Sequence, residues 1–159
     1  MKFLLRTKHW LLLLIIFSPS VIVGLSDELA FSVWTLIGSL WGMLTYLLWI
    51  NAIVKYIKTN VHIKNLNIFN LTLYYLIFYI ILITLMQQFD YYSLSYVQVF
   101  FHSIAFVASF YVLYYVAKNF TYWMSSQGDT STNLISNFVC FWFFPIGIFI
   151  LQPKINALT

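Results

Sequence analysis

The sequence predicts an all-α fold: a polytopic transmembrane bundle of five hydrophobic segments in one integral membrane domain, residues 1–159. Three observations predict it. The chain is 62% hydrophobic and only 8% charged, whereas a soluble domain carries about 25% charged residues. The apolar residues gather into runs at 10–25, 31–54, 68–86, 96–116 and 134–151, the longer ones reaching the ~20 residues that cross a ~30 Å hydrocarbon core. The eight Lys/Arg and four Asp/Glu all lie outside these runs. So apolar a chain could not build a polar surface for water. Its net charge of +4 belongs with orientation in a bilayer rather than with nucleic acid.

Lys2, Arg6 and Lys8 precede Trp10 and the first run. A basic start before a short apolar run also suits a secretory signal peptide, but around Val23-Gly24-Leu25-Ser26 the two key positions never both hold small residues. An uncleaved first helix is expected, kinked at Ser18-Pro19-Ser20. Ser26-Asp27-Glu28 reads as an acidic turn opening the next helix, with its carboxylates near the positive end of the dipole.

The second run contains Gly38-Ser39-Leu40-Trp41-Gly42. The spacing of four puts both glycines on one helix face, where a second backbone can approach. Thr35 and Ser39 extend this small, weakly polar stripe, and Asn51 reads as an interfacial or interhelical hydrogen bonder. Residues 55–67 form the most basic loop, with Lys55, Lys58, Lys64 and a solvated His62. The third run has almost no small residues and is expected to face lipid more than its neighbours. Its Tyr74, Tyr75 and Tyr79 need hydrogen-bond partners or the interface. A polar turn at 87–95 holds Asp90.

In the fourth run His102, Ala105 and Ser109 fall on one helix face, expected to look inward, and Ala105 and Ser109 form a small-x-x-x-small pair. An ionisable residue inside a span is a functional candidate by default; for His102 the plainer reading is a histidine hydrogen-bonded within the bundle. Residues 118–133 form a polar stretch with its tip at Gly128-Asp129 and headgroup-level aromatics at Tyr122 and Trp123.

The tail, 134–151, is organised by its prolines. Pro145, in mid-run, has no N–H and frees the carbonyl of Phe141; Gly147 admits a neighbouring backbone; Pro153 ends the helix and lets Lys154 reach the headgroup layer. Such a proline is tolerated at membrane depth only where protein covers the gap. The second, fourth and fifth segments are therefore expected to form the packed centre.

Cations favour the cytoplasmic side. Three in the amino terminus, three in the 55–67 loop and Lys118 fall on one side, and Asp27, Glu28 and Asp90 on the other. The amino terminus is therefore expected to be cytoplasmic. Five crossings, the expected topology because the tail is long enough to span, put the carboxyl terminus outside; the alternative, a re-entrant tail about Pro145, gives four crossings and brings all eight cations inside.

Phe144-Pro145-Ile146-Gly147-Ile148 and Gln152-Pro153-Lys154-Ile155-Asn156 resemble the carboxyl-terminal signature of a group of small multi-span bacterial inner-membrane proteins of Bacteroidetes type. That group shares a basic start, a proline in the first span and an ending of the form P-I-G-I … Q-P-(R/K)-I-N. Phe149 stands here where Trp is expected, and Lys154 where Arg is usual. The specific likeness covers roughly the last fifteen residues. It implies class and location, and no activity or cofactor.

Chemistry is sought with little return. His9, His62 and His102 lie at different depths and cannot jointly hold a metal or haem, so no cofactor is expected. Cys140 reads as a small apolar filler. No acid lies inside a run, and no nucleophile–base, phosphate-loop or dinucleotide pattern is present, so no enzyme is expected. Two functions remain. One is a non-catalytic accessory or assembly subunit of a larger membrane complex, with the lipid bilayer and a protein partner or second copy as contacts. The other is a small oligomeric permease or channel lined by Thr35, Ser39, His102, Ser109 and the broken tail.

Overall fold

The structure, a computed structural model, describes residues 2–23, 28–88, 96–129 and 131–158, with side chains at 3–18, 38, 40–86, 96, 98–129 and 131–157. The acidic turn at 24–27, the Asp90 turn at 89–95 and the side chains of Thr35 and Ser39 lie outside the described residues. Every described element is an α-helix: α1 (Lys2–Arg6), α2 (His9–Val23), α3 (Glu28–Asn60), α4 (Leu66–Gln88), α5 (Tyr96–Ser126), α6 (Leu134–Trp142) and α7 (Phe144–Leu158). Three stretches are long and apolar enough to cross a membrane: Leu40–Asn60, Leu66–Met86 and Gln98–Ser126.

α3 is the hub, packing against α1, α2, α4 and α5. Its strongest partner is α2, and the reason is Gly42. A Cβ built there would lie 3.3 Å from the main-chain oxygen of Ile16, so the two backbones meet as the G-x-x-x-G spacing implies. Gly38 is buried on the same face. Gly42→Ala should shift the thermal midpoint in detergent only slightly, since the neighbour need give by a few tenths of an ångström. Gly42→Leu should cost about 3 kcal/mol or more, because overpacking against a backbone cannot relax by rotamer change. Equal midpoints for the two variants would refute the close approach.

The core runs along α3 and α5 into the tail. Trp49, Phe69, Phe120 and Phe141 are fully buried, with Ile50, Ile53, Val116 and Leu151 around them. α4 stands at the flank: 17% of its apolar window is buried, against 50% for α3. That agrees with its lack of small residues, since bulky side chains keep helices apart.

Two elements outrun their predicted bounds. α3 continues to Asn60, so Lys55 and Lys58 are helical. α5 continues to Ser126, so most of the stretch expected as a polar loop is helix. Trp123, expected at headgroup level, is instead buried, edge-on to Tyr56 and packed on Phe120; Tyr122 is exposed. Apolar contacts to α3 extend the helix past its polar composition. It ends at Ser126, just before the predicted loop tip at Gly128, whose φ of +89° suits a residue without a side chain.

The tail differs most from expectation. It is not one helix ending at Pro153. It breaks at Phe143 (φ −88°, ψ 62°) into α6 and α7, and α7 continues through Pro153 to Leu158. The chain reverses at the break. Gly147 sits so close that a Cβ there would fall 1.7 Å from the oxygen of Cys140, whereas residues seven apart in a continuous helix are about 10 Å apart along the axis. α6 descends beside α5, with Asn137 Nδ2 donating to Thr121 Oγ1 at 2.8 Å and Trp142 edge-on to Phe110 at 4.3 Å. α7 returns antiparallel to α2: Phe144 stacks on Phe17, and Phe149 meets His9. Both ends of the hairpin therefore lie at one end of the bundle, beside α1 and the 61–65 loop. All eight cations belong to this basic end.

Pro145 accordingly does not kink a helix. It occupies the first turn of α7, where a missing N–H costs nothing. The carbonyl it was expected to free, that of Phe141, accepts the hydroxyl of Tyr46 from α3. The first segment repeats the device. Pro19 lies within α2 and cannot donate to Ile15, and the Ile15 carbonyl accepts the indole N–H of Trp41 at 2.8 Å. Unpaired carbonyls are costly where water is absent, and α3 supplies a donor at Pro19 and at Pro145.

Candidate functional site

The densest polar arrangement among the described residues is where the tail meets the amino terminus. α1 is five residues long and ends at Arg6, so its last carbonyls have no helical partners. Gln152, on α7, fills that deficit from a fully buried position. Its Nε2 lies 3.1 Å from Leu4 O, 2.9 Å from Leu5 O, 2.9 Å from Thr7 O and 3.1 Å from Asn156 Oδ1. Two N–H groups are thus shared among four acceptors. Its Oε1 accepts the indole N–H of Trp49 at 2.8 Å. Indole only donates, which fixes the amide orientation.

Asn156, one turn on, shares the face. Its Nδ2 reaches Thr7 O at 3.3 Å. Thr7 is itself buried and donates its hydroxyl to Phe3 O at 2.7 Å. One amide therefore joins α1, α3 and α7.

Beside this clamp, Lys154 Nζ lies 3.3 Å from Asp129 Oδ2. The lysine expected to reach for headgroups thus ties α7 to the loop before α6. Asp129 also accepts the hydroxyl and the N–H of Ser131, a turn that asparagine and aspartate favour. Asn133 then caps α6, accepting Ile135 N at 2.9 Å. The Ser131 bonds, with Lys154 adding to them, hold the Asp129 carboxyl below its ordinary value. A lowered folded-state pKa stabilises above the unfolded value and is lost as pH falls through the folded one. The stability difference between wild type and Asp129→Asn should therefore be complete above about pH 5 and fade below about pH 4. Parallel unfolding midpoints across that range would count against the pairing.

The residues singled out by sequence do not converge. Gly38 and Gly42 face α2. Ala105 is buried, and Ser109 donates back to Ala105 O at 2.8 Å beside Tyr46, Ile50 and Leu76. Gly147 lies in the tail turn. His102, expected to look inward, is exposed at the α4–α5 groove, its Nδ1 2.9 Å from Gln98 O and its ring edge-on to Tyr79. Tyr75 finds the partner it needed, donating to Phe101 O at 3.2 Å. Asn51 is buried, and its Oδ1 has no hydrogen-bond partner among the described residues.

Among the described residues, no cluster of three His, Cys, Asp or Glu is placed to hold a metal. The clamp contains amides, an indole, a hydroxyl and carbonyls. Its bonds hold α1, α3 and α7 together. Sequence reasoning recorded Gln152 and Asn156 as part of a signature but gave them no role. Their spacing of four, with Pro153 between, was the available signal. Compared with known protein families, curated proteins and solved structures, the chain has no match.

Proposed function

We propose that the chain is a non-catalytic integral membrane protein, an accessory or assembly subunit of a larger membrane complex. It crosses a bacterial inner membrane with α2, α3, α4 and α5, and α6–α7 enter and leave on the cytoplasmic side. The basic end, carrying the amino terminus and all eight cations, faces the cytoplasm, as the charge bias of short loops favours. The observation that carries the functional reading is where the polar groups are used. Trp41, Tyr46, Trp49, Gln152 and Asn156 bond main chain or one another within the bundle, and Asn137 bonds the Thr121 hydroxyl. α4 and α5 meanwhile present a broad apolar surface outward.

The permease alternative has no comparable support among the described residues. His102 is exposed on the outer surface, and the Ser109 hydroxyl is satisfied within its own helix. Purification in mild detergent tests the subunit reading. It expects a species heavier than one chain with a second component in fixed ratio. A monodisperse single chain that carries a solute across proteoliposomes would contradict it.

A further inference from the structure

We propose that the groove between α4 and α5 holds one anionic phospholipid of the surrounding bilayer. An acyl chain lies along α5, and the phosphate sits against lysines at the basic end. The inference rests on the membrane-embedded reading. The open groove offers about 760 Å³ between Leu71, Thr72 and Tyr75 of α4 and Ser103, Ile104 and Val107 of α5. That volume is within the roughly 300–1,000 Å³ typical of ligand sites. Its walls run along α5 from Phe100 to Tyr111, about 16 Å at helical rise, enough for most of one chain.

Three of the groove's four hydroxyl groups are already bonded within the protein; the fourth, on Tyr111, lies toward the basic end. Thr72 donates to Ile68 O, Ser103 to Val99 O, and Tyr75 to Phe101 O. Short of Tyr111 the groove therefore takes an apolar occupant. At the basic end the character changes. Ile68 is shared with a second, open pocket of about 490 Å³ lined by Lys58, Asn65 and Asn67. Lys64 is exposed in the same loop, whose backbone Tyr115 anchors by donating to Lys64 O at 2.7 Å. Lys118 is exposed two turns beyond Tyr111 on the same face of α5, its Nζ 5.9 Å from the Tyr114 ring centre.

None of these three lysines has an acidic partner among the described residues; Asp129 is paired with Lys154. An apolar groove opening at the cytoplasmic side into a basic pocket is the chemistry that takes an anionic headgroup. A second copy of this chain fits less well. The walls are bulky, where close helix pairs want small residues, and two basic mouths would repel.

The test uses the full chain purified in mild detergent, with phosphatidylglycerol and phosphatidylcholine of identical acyl chains as probes. Phosphatidylglycerol should raise the thermal midpoint and survive as one bound molecule in native mass spectrometry. Its preference over phosphatidylcholine should fall about tenfold or more in Lys58→Gln/Lys118→Gln. Ser103→Trp, which fills the groove without changing charge, should lose the bound lipid. Lys8→Gln, at the same end but off the groove, should keep it. Equal responses to both lipids would overturn the proposal. So would a preference that survives Ser103→Trp, which marks diffuse attraction, or a dimer through α4–α5 that lipid does not displace. A chain that stays monodisperse without any amphiphile would instead refute membrane embedding itself.

Discussion

Gly147→Ala is expected to disrupt the tail more severely than any other single-methyl change. A Cβ at residue 147 would lie 1.7 Å from the Cys140 oxygen, 2.5 Å from its carbonyl carbon and 3.2 Å from its Cα. All three are backbone atoms, so no side chain can rotate away. Overpacking usually costs about 1–3 kcal/mol, and more where nothing can yield. Here the α6–α7 turn must open, which also pulls Phe141 from the core and its carbonyl from Tyr46. A loss of about 4 kcal/mol or more places the variant among exceptional mutations. Thermal unfolding in detergent beside Gly42→Ala is the check. The two changes add the same methyl, yet Gly147→Ala should drop the midpoint far more. Similar midpoints would mean that the chain does not reverse at Phe143.

Gln152→Leu is expected to be the second large effect. Leucine keeps much of the volume but leaves the Trp49 N–H and the carbonyls of Leu4, Leu5 and Thr7 without their shared partner. Each buried group left unpaired costs about 1–3 kcal/mol, and a total of about 3–5 kcal/mol is expected. Gln152→Glu should be no better, because a carboxylate only accepts and would face carbonyl oxygens. Trp49→Phe removes one of the orphaned donors, so Trp49→Phe/Gln152→Leu should cost less than the sum of its single variants. Additive losses would show that the indole–amide bond contributes nothing.

These two positions also show what the sequence made legible. Hydropathy located every long helix, because apolar run length and helix length follow the same requirement. The G-x-x-x-G face was legible because close backbone approach demands glycine. α4 was legible as the peripheral helix from its missing small residues. The requirement that something cover the prolines was readable as well, but the covering groups were not. Trp41 and Tyr46 look like ordinary apolar or interfacial aromatics until the fold aims their donors at Ile15 and Phe141.

The errors share a cause. Pro145 was read as a fault inside a helix, although proline equally begins one. Local sequence does not say which side of the residue the helix lies on. Pro153 was read as a stop, but α7 continues because Gln152 finds partners in α1 and α3, Asn156 bonds the Thr7 carbonyl, and Ile155 is buried. His102 was assigned inward from three small or polar residues on one face. Ala105 and Ser109 do turn toward the bundle, but helix periodicity brings His102 only near that face, and the wide α4–α5 groove leaves it exposed.

The central claim is that the tail folds back, bringing the carboxyl terminus to the side where the chain begins. Topology reporters fused after Thr159 test it most directly. A fluorescent protein that matures only in the cytoplasm should be bright there, and a phosphatase active only outside it should be silent. The reverse pair of signals would mean that residues 134–151 cross as a fifth span, and the hairpin, the clamp at Gln152 and the gathering of all cations at one end would fall together.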